Sequence, residues 1–339
     1  CNRANAPLFI MISRCTWRLS CIVLGAVGLK EGSPVIGMFS LPTDPSLCGA
    51  SKCEMLPASY VKYIESAGGE VVPVSIDTTD SEMDVLLDSL NGFLFTGGAD
   101  LDPPAAALRV LHRSRELFKA GDPENQLPVW GTCLGFEWLV AATSPPSLIS
   151  GFRAENVNLP LHFSLEAVTS RLFGKAPQHI WDALKFENVS FNSHHRGVRP
   201  AEWIRHPQLM QTFKALATSL DEDGQEFVSA IEGVDGLPWF GVQFHPEKNA
   251  FEHGLLPNGQ PAVLAKHTPE AIAVTQFFAN FFVDQARQNR RSFKSVADEA
   301  KHLIYGHQTS RAFQPGFDEV FLFSTSESSE SKPAPHILV

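Results

Sequence analysis

Cys133 lies in a segment whose residue types and spacing suggest nucleophilic chemistry. The segment reads VWGTCLGFE, with Gly131 two residues before the cysteine and Gly135 two residues after it. A buried strand is predicted before Cys133 and a helix directly after it, which is the pattern of a nucleophile elbow, where only small flanking residues avoid a clash. At a helix N-terminus the sulfur is expected to ionise readily to a thiolate. We therefore predict Cys133 as the nucleophile, although a lone cysteine is more often buried and inert.

A thiol nucleophile needs a histidine to move protons and a third group to orient that histidine. His245 follows a predicted strand in the segment FHPE, and Glu247 lies two residues further along. Pro246 between them stiffens the link, so a fixed contact between imidazole and carboxylate is expected. We predict His245 as the general base and acid and Glu247 as the residue that orients it.

The paired glycines Gly97 and Gly98 follow another predicted strand, in the segment FTGG. Such pairs often mark an ordinary turn. Here the backbone N–H groups of Gly98 and Leu134 are expected to form an oxyanion hole for a tetrahedral intermediate, with Gly97 close to the substrate.

Alternating strands and helices must position these residues. Apolar runs predict strands over residues 35–39, 71–76, 93–95, 127–130 and 239–244. Helical spacing predicts helices over residues 57–67, 105–118 and 268–288. A capping box formed by Thr79 and Glu82 predicts the start of a further helix. Residues 212–220 and 226–231 predict a hairpin. We expect an α/β three-layer sandwich with a mostly parallel central sheet and an added antiparallel hairpin, with the site at the carboxyl ends of the strands.

Composition excludes several classes of protein. The chain has 339 residues, of which 44% are hydrophobic and 19% charged, so a disordered chain is excluded. The net charge of −10 disfavours nucleic acid and anionic lipid as partners. No apolar run approaches the roughly 20 residues of a membrane-spanning helix. An anionic substrate would therefore need a local basic pocket.

The first residues resemble a secretory signal. Arg14 and Arg18 precede the apolar run LSCIVLGAVGL, so residues 1–30 are predicted as a leader, with a buried strand as the alternative. The glycosylation sequon at Asn188 agrees with a secreted protein. Residues 34–323 form the predicted catalytic domain, and the Ser- and Glu-rich residues 324–339 a disordered tail.

Five of the six cysteines lie within the first 53 positions. A disulfide framework for the body of the protein is therefore excluded. Cys48 and Cys53 could bridge a local loop, which the sequence leaves open. No Cys and His spacing of the zinc type occurs, so no metal is predicted.

Several segments together carry a resemblance to a known family. The GTCLG elbow, the FTGG turn and VQFHPEK resemble the class I glutamine amidotransferase-like superfamily. Within it, ASYVKYIESAG, PVWGTCLGFE and LPLHF resemble gamma-glutamyl hydrolases. The resemblance spans about residues 34–305. Thr96 departs from the proline that is usual before the paired glycines.

The resemblance implies a lysosomal, vacuolar or secreted cysteine peptidase that cleaves folylpoly-gamma-glutamates through a thioester, with no cofactor. It assigns Cys133, His245 and Glu247 the roles predicted above, and places a functional histidine at His194, although neighbouring His195 leaves the register open. Bidentate arginines suit the substrate's carboxylates, and Arg171, Arg196 and Arg199 are the predicted residues. A homodimer is one option for the oligomeric state.

Two other functions stay open. The chain could be another amidotransferase-like enzyme, either a glutaminase that passes ammonia to a synthetase or a hydrolase of a different gamma-glutamyl amide. It could also be a non-catalytic secreted binding protein of the same fold. The leader and the absence of a fused synthetase region disfavour the glutaminase, and the intact Cys133, His245 and Glu247 disfavour the binding protein.

Overall fold

The computed structural model describes residues 32–311 and 316–324. Fourteen strands occur in these ranges: β1 Val35–Phe39, β2 Leu41–Thr43, β3 Cys53–Pro57, β4 Glu70–Val74, β5 Gly92–Phe95, β6 Val129–Thr132, β7 Ile149–Leu159, β8 His162–Phe163, β9 Ser190–Gly197, β10 Phe213–Leu220, β11 Glu226–Gly233, β12 Trp239–Val242, β13 Thr309–Ser310 and β14 Val320–Ser324. Ten α-helices accompany them: α1 Ala58–Glu65, α2 Asp80–Ser89, α3 Ala105–Ala120, α4 Leu134–Thr143, α5 Gln178–Phe186, α6 Pro200–Arg205, α7 Pro207–Thr212, α8 Lys248–Phe251, α9 Pro269–Ala286 and α10 Val296–His302.

The central sheet has eight strands in the order β4-β1-β5-β6-β12-β11-β10-β8. The first five pair in parallel, whereas β11, β10 and β8 pair in antiparallel fashion. The hairpin predicted from the second half is β10 and β11, and it extends the sheet beyond β12. The predicted α/β fold with a mostly parallel sheet and an added hairpin is confirmed.

Helices cover both faces of this sheet. Along β1, Ile36 and Met38 pack into the apolar cluster that includes α1 and α9, whereas Val35 and Phe39 pack into the cluster that includes α2, α3 and α4. Successive side chains of a strand point to opposite faces, so a strand buried on both faces reads as a continuous apolar run. This alternation produces the three layers.

Helix α9 packs against the sheet, as its wide apolar face predicts. The Trp130 ring lies 5.8, 6.5 and 5.9 Å from the rings of Phe278, Phe281 and Phe282. Ile272 of this helix is 42% exposed. Its neighbour Ala271 lies on the buried side of the helix.

A second, four-stranded sheet has the order β13-β14-β3-β2, and sequence analysis missed it. Strand β3 ends at Pro57, so α1 begins at Ala58, one residue later than predicted. Ser324, the first residue of the predicted tail, pairs with Cys53 at the end of β14. Residues 325–339 and the predicted leader lie outside the described residues.

Cys48 and Cys53 form a disulfide, which settles the pairing that the sequence left open. The bond closes the loop between β2 and β3. Across the described residues, no helix is both long and apolar enough to cross a membrane.

Candidate active site

Cys133 occupies the sharp turn between β6 and α4. Its φ of 52° and ψ of −107° are unusual for a residue with a side chain, and such strain is typical of a nucleophile elbow. A Cβ atom added at Gly131 would overlap the carbonyl oxygen of Gly135, and one added at Gly135 would overlap that of Phe95. The requirement for small residues on both sides of the cysteine is confirmed.

Backbone hydrogen bonds join this turn to the neighbouring strands. Cys133 N donates to the carbonyl oxygen of Val242 at 2.9 Å, and Gly135 N donates to that of Thr96 at 3.1 Å. Cys133 is thereby held at the carboxyl ends of β5, β6 and β12, where parallel α/β sheets place their functional residues.

His245 lies just beyond β12 and is oriented by Glu247. Its ring Nδ1 lies 2.7 Å from Glu247 Oε1, and its backbone N donates to the carbonyl oxygen of Phe191 at 2.7 Å. Both side chains are buried. A carboxylate at Nδ1 favours the tautomer that carries its proton there, which leaves Nε2 to exchange a proton with a reacting group.

The structure brings Cys133 and His245 to the same cavity. A Cβ atom added at Gly97 would lie 2.5 Å from His245 Cε1 and 3.3 Å from Cys133 Cβ, so both side chains border one small space. The cavity has a volume of about 340 Å³. Its lining residues are Met55, Gly98, Ala99, Cys133, Asn156, Phe191, Ser193, His245, Lys248, Ala262, Val263, Gly316 and Phe317.

The expectation that Cys133 rests as a thiolate is wrong. Burial raises the pKa of its thiol well above the usual range, and the nearby Glu137 and Glu247 carboxylates raise it further. The Leu134 N–H and the Lys248 ammonium lower that pKa, but they do not outweigh the desolvation. The helix N-terminus is a local effect, whereas burial is a property of the whole fold and dominates here.

The residues predicted to supply the oxyanion donors, Gly98 and Leu134, border the space around Cys133. The Leu134 N–H interacts with Cys133, and Gly98 lines the cavity. A Cβ atom at Gly98 would lie 3.3 Å from Leu134 Cδ2, so the two residues are neighbours. The Gly97 N–H, by contrast, donates to the Tyr60 hydroxyl at 2.7 Å and is therefore occupied within the protein.

Tyr60 is a site residue that sequence reasoning missed. Its hydroxyl oxygen accepts the Gly97 N–H and lies 3.3 Å from His245 Nδ1. Burial, Glu247 and Cys133 raise the pKa of this phenol well above its usual value, so the hydroxyl stays protonated. The only signal in the sequence was its place in the ASYVKY segment, where helical spacing marks a core residue.

The three predicted arginines are engaged by the protein itself. Arg171 donates to the carbonyl oxygens of Gly236, Gly233 and Leu237 at 2.9, 3.1 and 2.6 Å. Arg196 binds Glu137 through Nε at 2.9 Å and through Nη2. Exposed Arg199 donates to Gln225. None of the three lines the cavity that holds Cys133.

His194 is buried beside β11 and does not line this cavity. Its Nδ1 lies 2.7 Å from the carbonyl oxygen of Arg196, and its Nε2 lies 3.2 Å from Asn192 Oδ1. Burial lowers the pKa of His194 to about 3, so the ring is neutral. Both ring nitrogens of His194 thus lie within hydrogen-bond distance of oxygen atoms of the protein itself. Its exposed neighbour His195 lies 3.1 Å from Asp100 Oδ2.

The fold and the site define a class: α/β proteins that carry a cysteine elbow and a histidine–glutamate pair at the carboxyl edge of a mostly parallel sheet. Within the described ranges, no three or more His, Cys, Asp or Glu side chains are grouped so as to hold a metal ion.

The chain belongs to the peptidase C26 family, whose family model matches residues 34–247. It is 38% identical to gamma-glutamyl hydrolase of Homo sapiens over 74% of this chain and 76% of that protein. It is 31% identical to gamma-glutamyl hydrolase B of Dictyostelium discoideum over 90% of this chain and 87% of that protein. The family predicted from the sequence is confirmed. Among solved structures, the glutaminase domain of Trypanosoma brucei CTPS aligns with 77% of this chain and 96% of its own at a TM-score of 0.46 and 13% identity.

Proposed function

We propose that this protein is a cysteine-dependent gamma-glutamyl hydrolase that cleaves the gamma-glutamyl amide bonds of folylpoly-gamma-glutamates. The observation that carries the proposal is the single cavity bordered by Cys133 and His245, with Glu247 bonded to the imidazole behind it. Membership of the peptidase C26 family and the names of the relatives support the substrate class.

The proposed reaction begins with attack of Cys133 Sγ on the gamma-amide carbonyl carbon. Because burial keeps the resting thiol protonated, His245 Nε2 accepts the thiol proton as the sulfur–carbon bond forms. The N–H groups of Gly98 and Leu134 hold the oxyanion. His245 then donates its proton to the leaving amine as the carbon–nitrogen bond breaks. Water, deprotonated by the same imidazole, hydrolyses the remaining thioester and restores the thiol.

Incubation of the purified protein with folate pentaglutamate, with chromatography of the products, tests this function. The wild type is expected to release glutamate or short gamma-linked chains. Cys133→Ala is expected to lose about 10⁴-fold or more in kcat/KM while it keeps its melting temperature. A Cys133→Ala variant that releases glutamate at the wild-type rate would refute the assignment of Cys133 as the nucleophile. Release of ammonia from free glutamine, without cleavage of the folate substrate, would identify a glutaminase instead.

The compartment proposed is the secretory pathway, ending in a lysosome, a vacuole or the extracellular space. The Cys48–Cys53 disulfide suits an oxidising compartment, and Asn188 of the sequon is exposed where a sugar could be attached. Protein from a secreting eukaryotic host should lose mass on treatment with an N-glycosidase, and an Asn188→Gln variant should not. Light scattering on the same preparations distinguishes a homodimer from a monomer.

A further inference from the structure

The side chain of Arg196 joins three segments that border the candidate active site. Its Nε donates to Glu137 Oε2 at 2.9 Å, and its Nη2 donates to the same oxygen, in the first turn of α4. Its Nε also lies 3.3 Å from Asp100 Oδ1, in the loop that follows the paired glycines. Arg196 itself belongs to β9. One guanidinium group therefore connects α4, the glycine loop and β9.

Strand β9 contacts both predicted reacting residues through its backbone. The Cys133 thiol donates to the carbonyl oxygen of Ser193, which lies 3.8 Å from Sγ. The carbonyl oxygen of Phe191 accepts the backbone N–H of His245 at 2.7 Å. A displacement of β9 from α4 would therefore move the acceptor of the thiol proton away from Cys133.

Glu137 is a buried carboxylate that acts on the thiol. It is 4% exposed, and its backbone N donates to the carbonyl oxygen of Cys133 at 3.0 Å. After burial itself, the charge of Glu137 is the largest cause that raises the pKa of Cys133. Gln243 Nε2 donates to Glu137 Oε1 at 3.3 Å but brings no charge. Within the described residues, Arg196 is the one cation that pairs with Glu137.

The pair of Arg196 and Glu137 limits this effect on the thiol. Burial raises the pKa of Glu137, and the charge and hydrogen bonds of Arg196 oppose that rise. A positive charge beside the carboxylate offsets its field at the sulfur. Arginine keeps its charge at all working pH values, so this compensation is permanent. The other titratable groups that face the thiol or the guanidinium are Tyr60, Asp100, Asp102, His245, Glu247 and Lys248.

We propose that Arg196 is a positioning residue for the nucleophile, which compensates the charge of Glu137 behind Cys133 and ties β9 to α4 at the thiol. Arg196 does not line the cavity, so it acts through Glu137 and not on the substrate. The catalytic importance of this role rests on the proposed function, whereas its effect on the thiol does not.

Alkylation of Cys133 by iodoacetamide between about pH 7 and 10 tests the inference, with mass spectrometry of the peptide that carries Cys133. The thiolate is the reacting form, so the rate at a fixed pH follows the ionised fraction. Arg196→Met should react about tenfold more slowly than wild type at each pH, because Glu137 then opposes ionisation without compensation. A merely structural role would have the opposite effect, since loosened packing exposes the thiol and speeds the reaction.

A second substitution separates charge from packing. Arg196→Met combined with Glu137→Gln should return the rate to within about threefold of wild type, because both charges are then absent. Arg196→Lys, which keeps the charge, should also stay close to wild type. Arg109→Met is the matched control, since Arg109 likewise pairs with two carboxylates, Asp80 and Asp84, but on α2 and α3. Its alkylation profile should be unchanged.

A wild-type rate in Arg196→Met, or an equally slow rate in the double variant, would overturn the inference. Arg196→Gln replaces the methionine variant if that variant does not fold, because the amide can still donate to Glu137 while the charge is lost. On folate triglutamate, Arg196→Met should lower kcat with little change in KM. A higher KM with an unchanged alkylation profile would place Arg196 in the substrate site instead and refute the positioning role. If wild type cleaves no gamma-glutamyl substrate, the proposed function fails, and the alkylation profiles still decide the role of Arg196.

Discussion

The Glu247 carboxylate is fully buried, and only one of its oxygens contacts His245. Its other oxygen, Oε2, has no hydrogen-bond partner within the described residues. Burial of a charge without a partner raises the free energy of the folded protein, and the positive charge that His245 acquires during the reaction offsets that increase. At the scale of single residues, we therefore expect Glu247 to stabilise the imidazolium as well as to orient the ring.

Glu247→Gln should lower kcat by about 10³- to 10⁴-fold with little change in KM, because an amide can hold the ring but cannot stabilise its charge. Steady-state kinetics on folate triglutamate measures this. Glu54→Gln is the matched control, since Glu54 is also buried and its carboxylate oxygens accept from Ser40 and Ser75, not from a histidine. A similar loss of kcat in both variants would point to general disruption and contradict the assigned role.

Helix α1 places two fully buried tyrosines near the site, and only one of them is bonded. Tyr60 accepts the Gly97 N–H, whereas the Tyr63 hydroxyl has no hydrogen-bond partner in the described part of the chain. At the scale of elements, α1 thus supports the turn that follows β5. A buried N–H group left without an acceptor lowers the free energy of unfolding. Removal of the hydroxyl should therefore destabilise the protein at Tyr60 but not at Tyr63.

Tyr60→Phe should lower the free energy of unfolding by about 1–3 kcal/mol and reduce kcat, because the Gly97 N–H loses its acceptor. Tyr63→Phe should be neutral or slightly stabilising. Urea unfolding of the two variants provides the comparison. Equal destabilisation would show that the Tyr60 hydrogen bond does not support the turn.

The elbow between β6 and α4 tolerates no side chain at Gly135, because the added atom would meet the backbone of β5. Gly135→Ala should destabilise the protein by about 1–3 kcal/mol and abolish most activity, as the strand and helix would have to separate. Gly306→Ala is the control, since nothing lies within 4 Å of its added Cβ. Thermal melting and kcat/KM are the measurements. A Gly135→Ala variant with wild-type melting would contradict the close packing described above.

Burial of the thiol couples the site to the stability of the whole molecule. The folded protein keeps Cys133 protonated well above the usual thiol range, whereas the thiol of the unfolded chain ionises near pH 8.5. Above that pH the unfolded state binds fewer protons than the folded state. Because stability falls with pH wherever the folded state binds more protons, ionisation of this thiol favours unfolding at alkaline pH.

Between about pH 8.5 and 10, wild type should therefore lose stability faster than Cys133→Ala, by at most about 1.4 kcal/mol per pH unit. Below about pH 8 the two pH profiles should be parallel. Urea unfolding across this range, without reductant so that the Cys48–Cys53 disulfide stays intact, measures the difference. Parallel profiles up to pH 10 would mean that the folded thiol titrates normally.

The elements that the sequence predicts depend on residues close together in the chain, whereas the elements that it misses depend on residues far apart in the chain. The capping box of α2, the elbow at Cys133 and the hairpin of β10 and β11 each depend on residues close in sequence, and each is present. Sequence analysis missed the pairing of β3 with β14, because its two strands lie at opposite ends of the described chain. The contact between Tyr60 and Gly97 was missed for the same reason.

The sequence alone determined the α/β fold, the family and the candidate triad, because periodicity, glycine spacing and short motifs are written in neighbouring residues. Only the tertiary structure decided that the Cys133 thiol rests protonated, that Arg171, Arg196 and Arg199 are engaged by the protein, and that Lys248 faces the cavity. Desolvation and the choice of partners depend on which distant segments pack together, and no local pattern records that.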